Sequence, residues 1–202
     1  MAALMFAVPE ETARILKELD VPEGTPEAHS HITVAYLGDD VPIDTIGDLL
    51  PVLYDVTSRT VPFSASTSRI TTFPAGNDGV PVIAAVDSPE LHAFRAELCA
   101  AMDSAGISYS KKFPIFKPHV TVTYAKDVDT EYELTFPAIS WPCHELLLWG
   151  SNRGTGRLVV KFPLSLPMGR VASPTELTSR YSAYRKAMVQ FAMYTDQGHE
   201  SA

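Results

Sequence analysis

Two short phrases in this 202-residue chain carry residues able to move protons around a phosphate ester. They are His31-Ile32-Thr33-Val34-Ala35-Tyr36 and His119-Val120-Thr121-Val122-Thr123-Tyr124. His, Thr, Val and Tyr recur at matching places, and the second position is apolar in both. Each phrase is β-branched and aromatic enough to read as a strand. On a strand, side chains alternate between faces. His31, Thr33 and Ala35 should therefore share one face, as should His119, Thr121 and Thr123. Each histidine then lies about 7 Å along the strand from its threonine, with Ile32 and Val34, or Val120 and Val122, anchoring the opposite face.

If the two strands meet across one cleft, the set suits phosphoryl chemistry. Cleaving a phosphodiester takes a base to activate the attacking hydroxyl or water and an acid to protonate the departing oxygen. Histidine titrates near neutral pH, so one ring can start neutral and the other charged. The hydroxyls of Thr33 and Thr121 can donate to the non-bridging oxygens as charge develops there. No step in this scheme calls on a metal or another cofactor. A single His-apolar-Thr-apolar segment is usually just a half-buried strand. A second copy that extends to the following Val and Tyr is rare, on the order of one in several hundred by average composition.

The elements around these phrases alternate early and form hairpins later. Leu4 to Val8 reads as a strand, and Pro9 opens a helix to about Leu19 with Ile15, Leu16 and Leu19 on one face. Residues 21–28 read as a polar loop, Ile43 to Leu53 as a helix, and Val61 to Thr72 as a strand bent near Ser64–Ser68. A Gly- and Pro-containing turn at 74–79 joins it to a strand from Val80 to Val86. Ser88 and Pro89 start a helix that Gly106 ends, with Leu91, Phe94, Leu98 and Met102 as its stripe. Strands at 131–136, 144–149 and 157–164 complete the series. The order favours an α+β fold built on antiparallel sheet over a doubly wound parallel one.

Composition bounds the function. The charged fraction is 20% and the net charge −8, which argues against a long nucleic-acid footprint but not against a small phosphorylated ligand. No run of about 18 apolar residues is present, so no membrane span is expected. The N-terminus lacks a basic region and reads as a buried strand, not a signal peptide. Cys99 and Cys143 form no CxxC pair and read as reduced core residues of a cytoplasmic protein. Cys and His show no metal-ligand spacing. Residues 1–166 form one expected domain. Residues 167–202 form a tail, part of it helical, with a capping-box spacing at Ser173 and Glu176. Its tyrosines and Phe191 raise the expectation of self-association through the tail.

The two phrases resemble the paired H-x-[ST] motifs of the 2H phosphoesterase superfamily, which includes the 2′-5′ RNA ligase-like proteins. The opening strand ending in proline, "HITVAYLG" with a helix after it, "KPHVTVTY", and the late hairpin "ELLLWGSNRGTGRLVVKF" extend the likeness over roughly residues 1 to 165. The resemblance implies two pseudo-symmetric lobes of antiparallel sheet, with outer helices, around a central groove. It also implies a metal-independent phosphoric diester hydrolase with His31 and His119 as the acid–base pair and Thr33 and Thr121 holding the phosphate. For hydrolysis His119 is expected as base and His31 as acid, with the roles reversing in the opposite direction. Many RNA ligase-like members carry a basic residue shortly after the second motif, where this chain has Thr123-Tyr124. With the acidic net charge, that turns the expectation from long RNA toward a small cyclic nucleotide or a 2′,3′-cyclic phosphate. Some viral members degrade cyclic-nucleotide signals of host immunity, so such a signal falls within this class.

Other residues near the motifs have two readings each. Tyr36 and Tyr124 could stack on a base or simply pack at strand ends. Lys117 could offer charge to a phosphate or be solvated. Phe113 and Phe116 could wall the approach to a base or fill core. Trp149 and Arg153 border the last hairpin turn, where Arg153 could reach a phosphate. His29, His92 and His144 read as structural. Two readings compete with cyclic-nucleotide hydrolysis. RNA 3′-end processing or 2′-5′ ligation predicts turnover of oligoribonucleotides with strong salt dependence. A non-catalytic module that sequesters a nucleotide predicts tight binding without cleavage.

Overall fold

A computed structural model describes residues 1–39, 41–126, 128, 132–152 and 156–165 of the chain. The elements are β1 (Ala2–Ala7), α1 (Glu10–Glu18), β2 (Gly24–Pro26), β3 (His31–Gly38), α2 (Ile43–Ser58) and β4 (Phe63–Thr72). They continue with β5 (Val80–Asp87), α3 (Pro89–Ser104), β6 (His119–Ala125), β7 (Leu134–Cys143), β8 (Glu145–Asn152) and β9 (Gly156–Pro163). The strands form a four-stranded sheet of order β3-β1-β8-β9 and a five-stranded sheet of order β2-β6-β5-β4-β7. Every pairing among the described residues is antiparallel. The fold is therefore α+β, as expected, with one motif strand in each sheet.

The local chemistry explains most boundaries. The Ser88 hydroxyl accepts from the Leu91 amide at 3.2 Å and Pro89 follows at the first helical position, fixing the start of α3. Gly106, at φ +71°, supplies the left-handed turn just past its end. Leu91, Phe94, Leu98 and Met102 are all buried. They face a core that also takes Leu4 and Phe6 from β1, Ile32 from β3 and Leu49 and Leu53 from α2. Phe6 meets Phe63 of β4 and Phe94 of α3 edge-on, at 5.4 and 5.3 Å between centroids. These rings join the two sheets where no ladder does.

Two expectations are corrected. Residues 24–26, read as loop, pair with β6 as a short edge strand. Gly24 permits this, because a β-carbon there would collide with the Tyr124 carbonyl. The strand expected at 131–136 instead runs from Leu134 to Cys143, through Pro137 and Pro142. Proline is tolerated there because, among the described residues, β7 is the outer strand of its sheet. The tail from 167 onward, its capping box included, lies outside the described residues.

Candidate active site

The first motif lies on β3. Across the four-stranded sheet, Tyr36 and Trp149 both stand opposite Ala3 of β1, and Thr33 and Leu147 both stand opposite Met5. His31 stands opposite Ala7. Ala3, Met5 and Ala7 alternate onto one face of β1, so His31, Thr33, Tyr36 and Trp149 share that face. Ala3, Met5 and Leu147 form a small buried cluster on it, with Tyr36 and Trp149 packed against them. The second motif lies on β6, where His119 stands opposite Ala85 and Thr121 opposite Ile83.

Strict alternation would have put Ala35 and Thr123 beside the threonines. The structure puts tyrosines there instead. In β3 the pairing jumps from Thr33 to Ala35, leaving Val34 unmatched; in β6 it jumps from Thr121 to Thr123, leaving Val122 unmatched. Each jump is a β-bulge, which adds one residue and turns the following side chains over. Both motifs consequently show one burial sequence. His, Thr and Tyr are half-buried; the residue after His, the Val, and Ala35 or Thr123 are buried. A hydrogen bond between the side chains of Thr121 and Tyr124 agrees with their sharing a face. The sequence echo thus encodes a duplicated bulge, and with it two His-Thr-Tyr faces.

Each histidine is held from behind in the same way. Nδ1 of His31 lies 2.6 Å from the carbonyl oxygen of His29, and Nδ1 of His119 lies 2.8 Å from that of Lys117. A carbonyl can only accept, so Nδ1 carries the proton in both rings and Nε2 is left as the titrating nitrogen. The edge of Phe73 meets the His119 ring at 4.7 Å. Burial holds His119 below the ordinary histidine value; the hydrogen bond to Lys117 opposes this, and the nearby charge of His31 adds to the lowering. The two rings therefore feel one another, and β3 and β6 touch although they belong to different sheets. At neutral pH His119 is the ring set up to be neutral, with an Nε2 lone pair able to accept a proton. Burial first, then the charge of Glu27, raises the Tyr124 phenol against the Thr121 hydrogen bond, with Asp78 adding to the rise.

A family model for the 2′-5′ RNA ligase superfamily matches residues 8–155. The chain belongs to the 2′-5′ RNA ligase superfamily. The crystal structure of TT0787 from Thermus thermophilus is similar at 20% identity, covering 83% of this chain and 99% of that one, with a TM-score of 0.66. E. coli LigT complexed with 3′-AMP is similar at 19% identity, covering 83% and 98%, with a TM-score of 0.55. A structure described as a phosphoesterase gives 18% identity, 81% and 95% coverage and a TM-score of 0.55. No curated protein sequence matches. Membership makes this a phosphoesterase-type enzyme, and the solved structures share its fold.

Among the other residues singled out in the sequence, Trp149 joins the first motif on its sheet face. Lys117 is exposed, and its backbone carbonyl is the part that touches His119. Phe116 packs against α3, 5.2 Å from the His92 ring and under the Arg95 guanidinium. Phe113 is 72% exposed. Arg153 lies outside the described residues. Sequence reasoning missed Phe73, whose position in an ordinary strand-to-turn segment carries no signal. It also missed the carbonyls of His29 and Lys117, although both stand two places before a motif histidine. Cys99 and Cys143 are buried and free, and burial pushes the Cys143 thiol up to about 12. Among the described residues there is no cluster of three or more His, Cys, Asp or Glu placed to hold a metal. Among them, too, no helix is long and apolar enough to cross a membrane.

Proposed function

We propose that this member of the superfamily hydrolyses a small cyclic nucleotide, of the 2′,3′-cyclic phosphate or cyclic-signal kind, by two-histidine acid–base catalysis without a metal. Nε2 of neutral His119 takes a proton from the attacking water. The water oxygen bonds to phosphorus, and the bond to one ribose oxygen breaks. Protonated His31 delivers its proton to that oxygen. The product is an open phosphomonoester, and the two rings finish with their protons exchanged. The hydroxyls of Thr33 and Thr121 donate to the non-bridging oxygens, where negative charge accumulates.

The observation that carries the reading is the matched restraint on the two rings: each Nδ1–H is tied to a carbonyl two residues back, which leaves each Nε2 for proton transfer. The face shared by Tyr36, Ala3 and Trp149 supports a stacking place for the base, with the small Ala3 between two aromatic residues. Asp39, which accepts from the Tyr36 hydroxyl at 2.7 Å, and Glu27 and Asp78 near Tyr124 favour a compact substrate over a long polyanion. One crystal structure of E. coli LigT holds a mononucleotide, 3′-AMP.

The test is a substrate panel in EDTA: 2′,3′-cyclic mononucleotides, cyclic di- and oligonucleotides, and oligoribonucleotides with 2′,3′-cyclic or 2′-5′ linkages, with products identified by mass. Preferred turnover of the small cyclic compounds supports the proposal. Preferred processing or joining of oligoribonucleotides would move the assignment to RNA ends.

A further inference from the structure

The two motif strands lie in different sheets, so no ladder sets the distance between them. That spacing must come from contacts outside the sheets. Among the described residues no strand pairs with the outer edge of β3, and the bulge leaves Val34 unmatched on β1. The Val34 carbonyl finds its donor in a side chain: Nε of Arg95, on α3, donates to it at 3.0 Å. The same guanidinium lies over the ring of Phe116, 4.6 Å from its centroid. Phe116 stands three residues before His119, in the segment that enters β6. His92, one turn earlier on α3, closes on the same ring at 5.2 Å.

We propose that Arg95 is a positioning residue that rivets the bulge of the first motif to the approach of the second, and so sets the separation of the two histidines. The segment it grips is tied at both ends. The Ser110 amide donates to the Tyr36 carbonyl at 2.7 Å, and the Val86 amide donates to the Pro118 carbonyl at 3.0 Å. Arg95 sits between those ties and touches both sides. Arginine is suited to the place because its planar group donates in its plane while presenting a flat face to an aromatic ring. A lysine has the charge without the plane.

The kinetic arm of the test rests on the two-histidine reading above; a second arm does not. Arg95→Met, Arg95→Lys and Phe116→Leu are compared with wild type, with rates expressed per folded enzyme. Each is expected to lower kcat roughly ten- to a hundredfold, the scale of misplacing catalytic groups by about an ångström, while KM for a small substrate changes little. Histidine-ring 15N NMR, followed through pH, reads the spacing without any substrate. In the variants the His119 titration is expected to move up toward 6.5, because the ring is less buried and less exposed to the His31 charge. A folded Arg95→Met protein with wild-type kcat and an unmoved His119 titration overturns the proposal, as does full rescue by lysine. If Arg95→Met does not fold, Arg95→Lys and Phe116→Leu decide by the same two readouts. If the wild-type protein turns over nothing in the panel, the functional reading fails and the NMR arm alone decides the rivet.

Discussion

Nδ1 of His119 is tied to the carbonyl of Lys117 at 2.8 Å, and its ring is edged by Phe73 at 4.7 Å. The backbone tie fixes the tautomer and by itself favours the charged form, while burial of the ring disfavours that form and prevails. The same tie, from His29, holds His31 at 2.6 Å. The pair is thus built alike at Nδ1, and burial lowers the pKa of His119.

Removing either imidazole should remove one proton-transfer step. His31→Ala and His119→Ala are each expected to lower kcat by roughly a hundred- to ten-thousandfold, the usual contribution of a general acid or base. Binding of a nucleotide should survive in both, as measured by calorimetry. The double variant should be little worse than the worse single one, because the two groups act as a unit.

The threonines should act on the transition state. Thr33→Val and Thr121→Val keep side-chain shape and delete one donor each. Losses of about a hundredfold in kcat are expected, with KM within a few-fold, by analogy with other single oxyanion donors. A change confined to KM would place them in ground-state binding instead.

The pH dependence has a definite sign. The His119 pKa is lowered in the folded protein from 6.5, so the acidic limb of kcat/KM should fall below that value. Below 6.5 the unfolded chain takes up this proton before the folded one does. Stability should therefore be held above 6.5 and lost as pH drops through the folded value. Denaturation of His119→Gln should show a shallower loss over the same window. In His31→Gln, the His119 titration should move upward, since one cause of the lowering is gone.

The aromatic face should govern affinity more than rate. Tyr36→Ala and Trp149→Ala should each raise KM for a base-containing substrate by about tenfold or more, the scale of one lost base–aromatic stack. Turnover of a phosphodiester with no aromatic group, such as a simple dialkyl ester, should be insensitive to both.

The β2 edge should depend on the absence of a side chain. Gly24→Ala would drive a β-carbon into the Tyr124 carbonyl, which is backbone and cannot swing aside. A loss of about 1–3 kcal/mol of stability is expected in denaturant titration, in the range of overpacked sites.

The parts of the fold that follow from local chemistry were legible in the residues. Ser88, Pro89 and Gly106 delimit α3, and the alternation of His31-Ile32-Thr33 and His119-Val120-Thr121 places each His beside its Thr. What escaped was set by long-range partners. Gly24–Pro26 looks like loop because its strand character comes entirely from pairing with β6. Pro137 and Pro142 look like breaks because tolerance of proline depends on β7 being an outer strand, which sequence does not state. The bulges at Val34 and Val122 escaped because a bulge is a mismatch with a partner strand, although the repeated tyrosine two places later was its trace. Phe73 and Arg95 carry no motif and reach the site only through tertiary packing.

The account stands most directly on whether two imidazoles open a cyclic phosphodiester with no metal supplied. Wild type, His31→Ala and His119→Ala should be incubated with 2′,3′-cyclic nucleotides and cyclic oligonucleotides in EDTA, with 31P NMR following conversion of diester to monoester. The account predicts steady conversion by wild type and a rate at least about a hundredfold lower in each variant. Conversion that continues undiminished in both variants, or an absence of conversion by the wild-type protein across the panel, would contradict it.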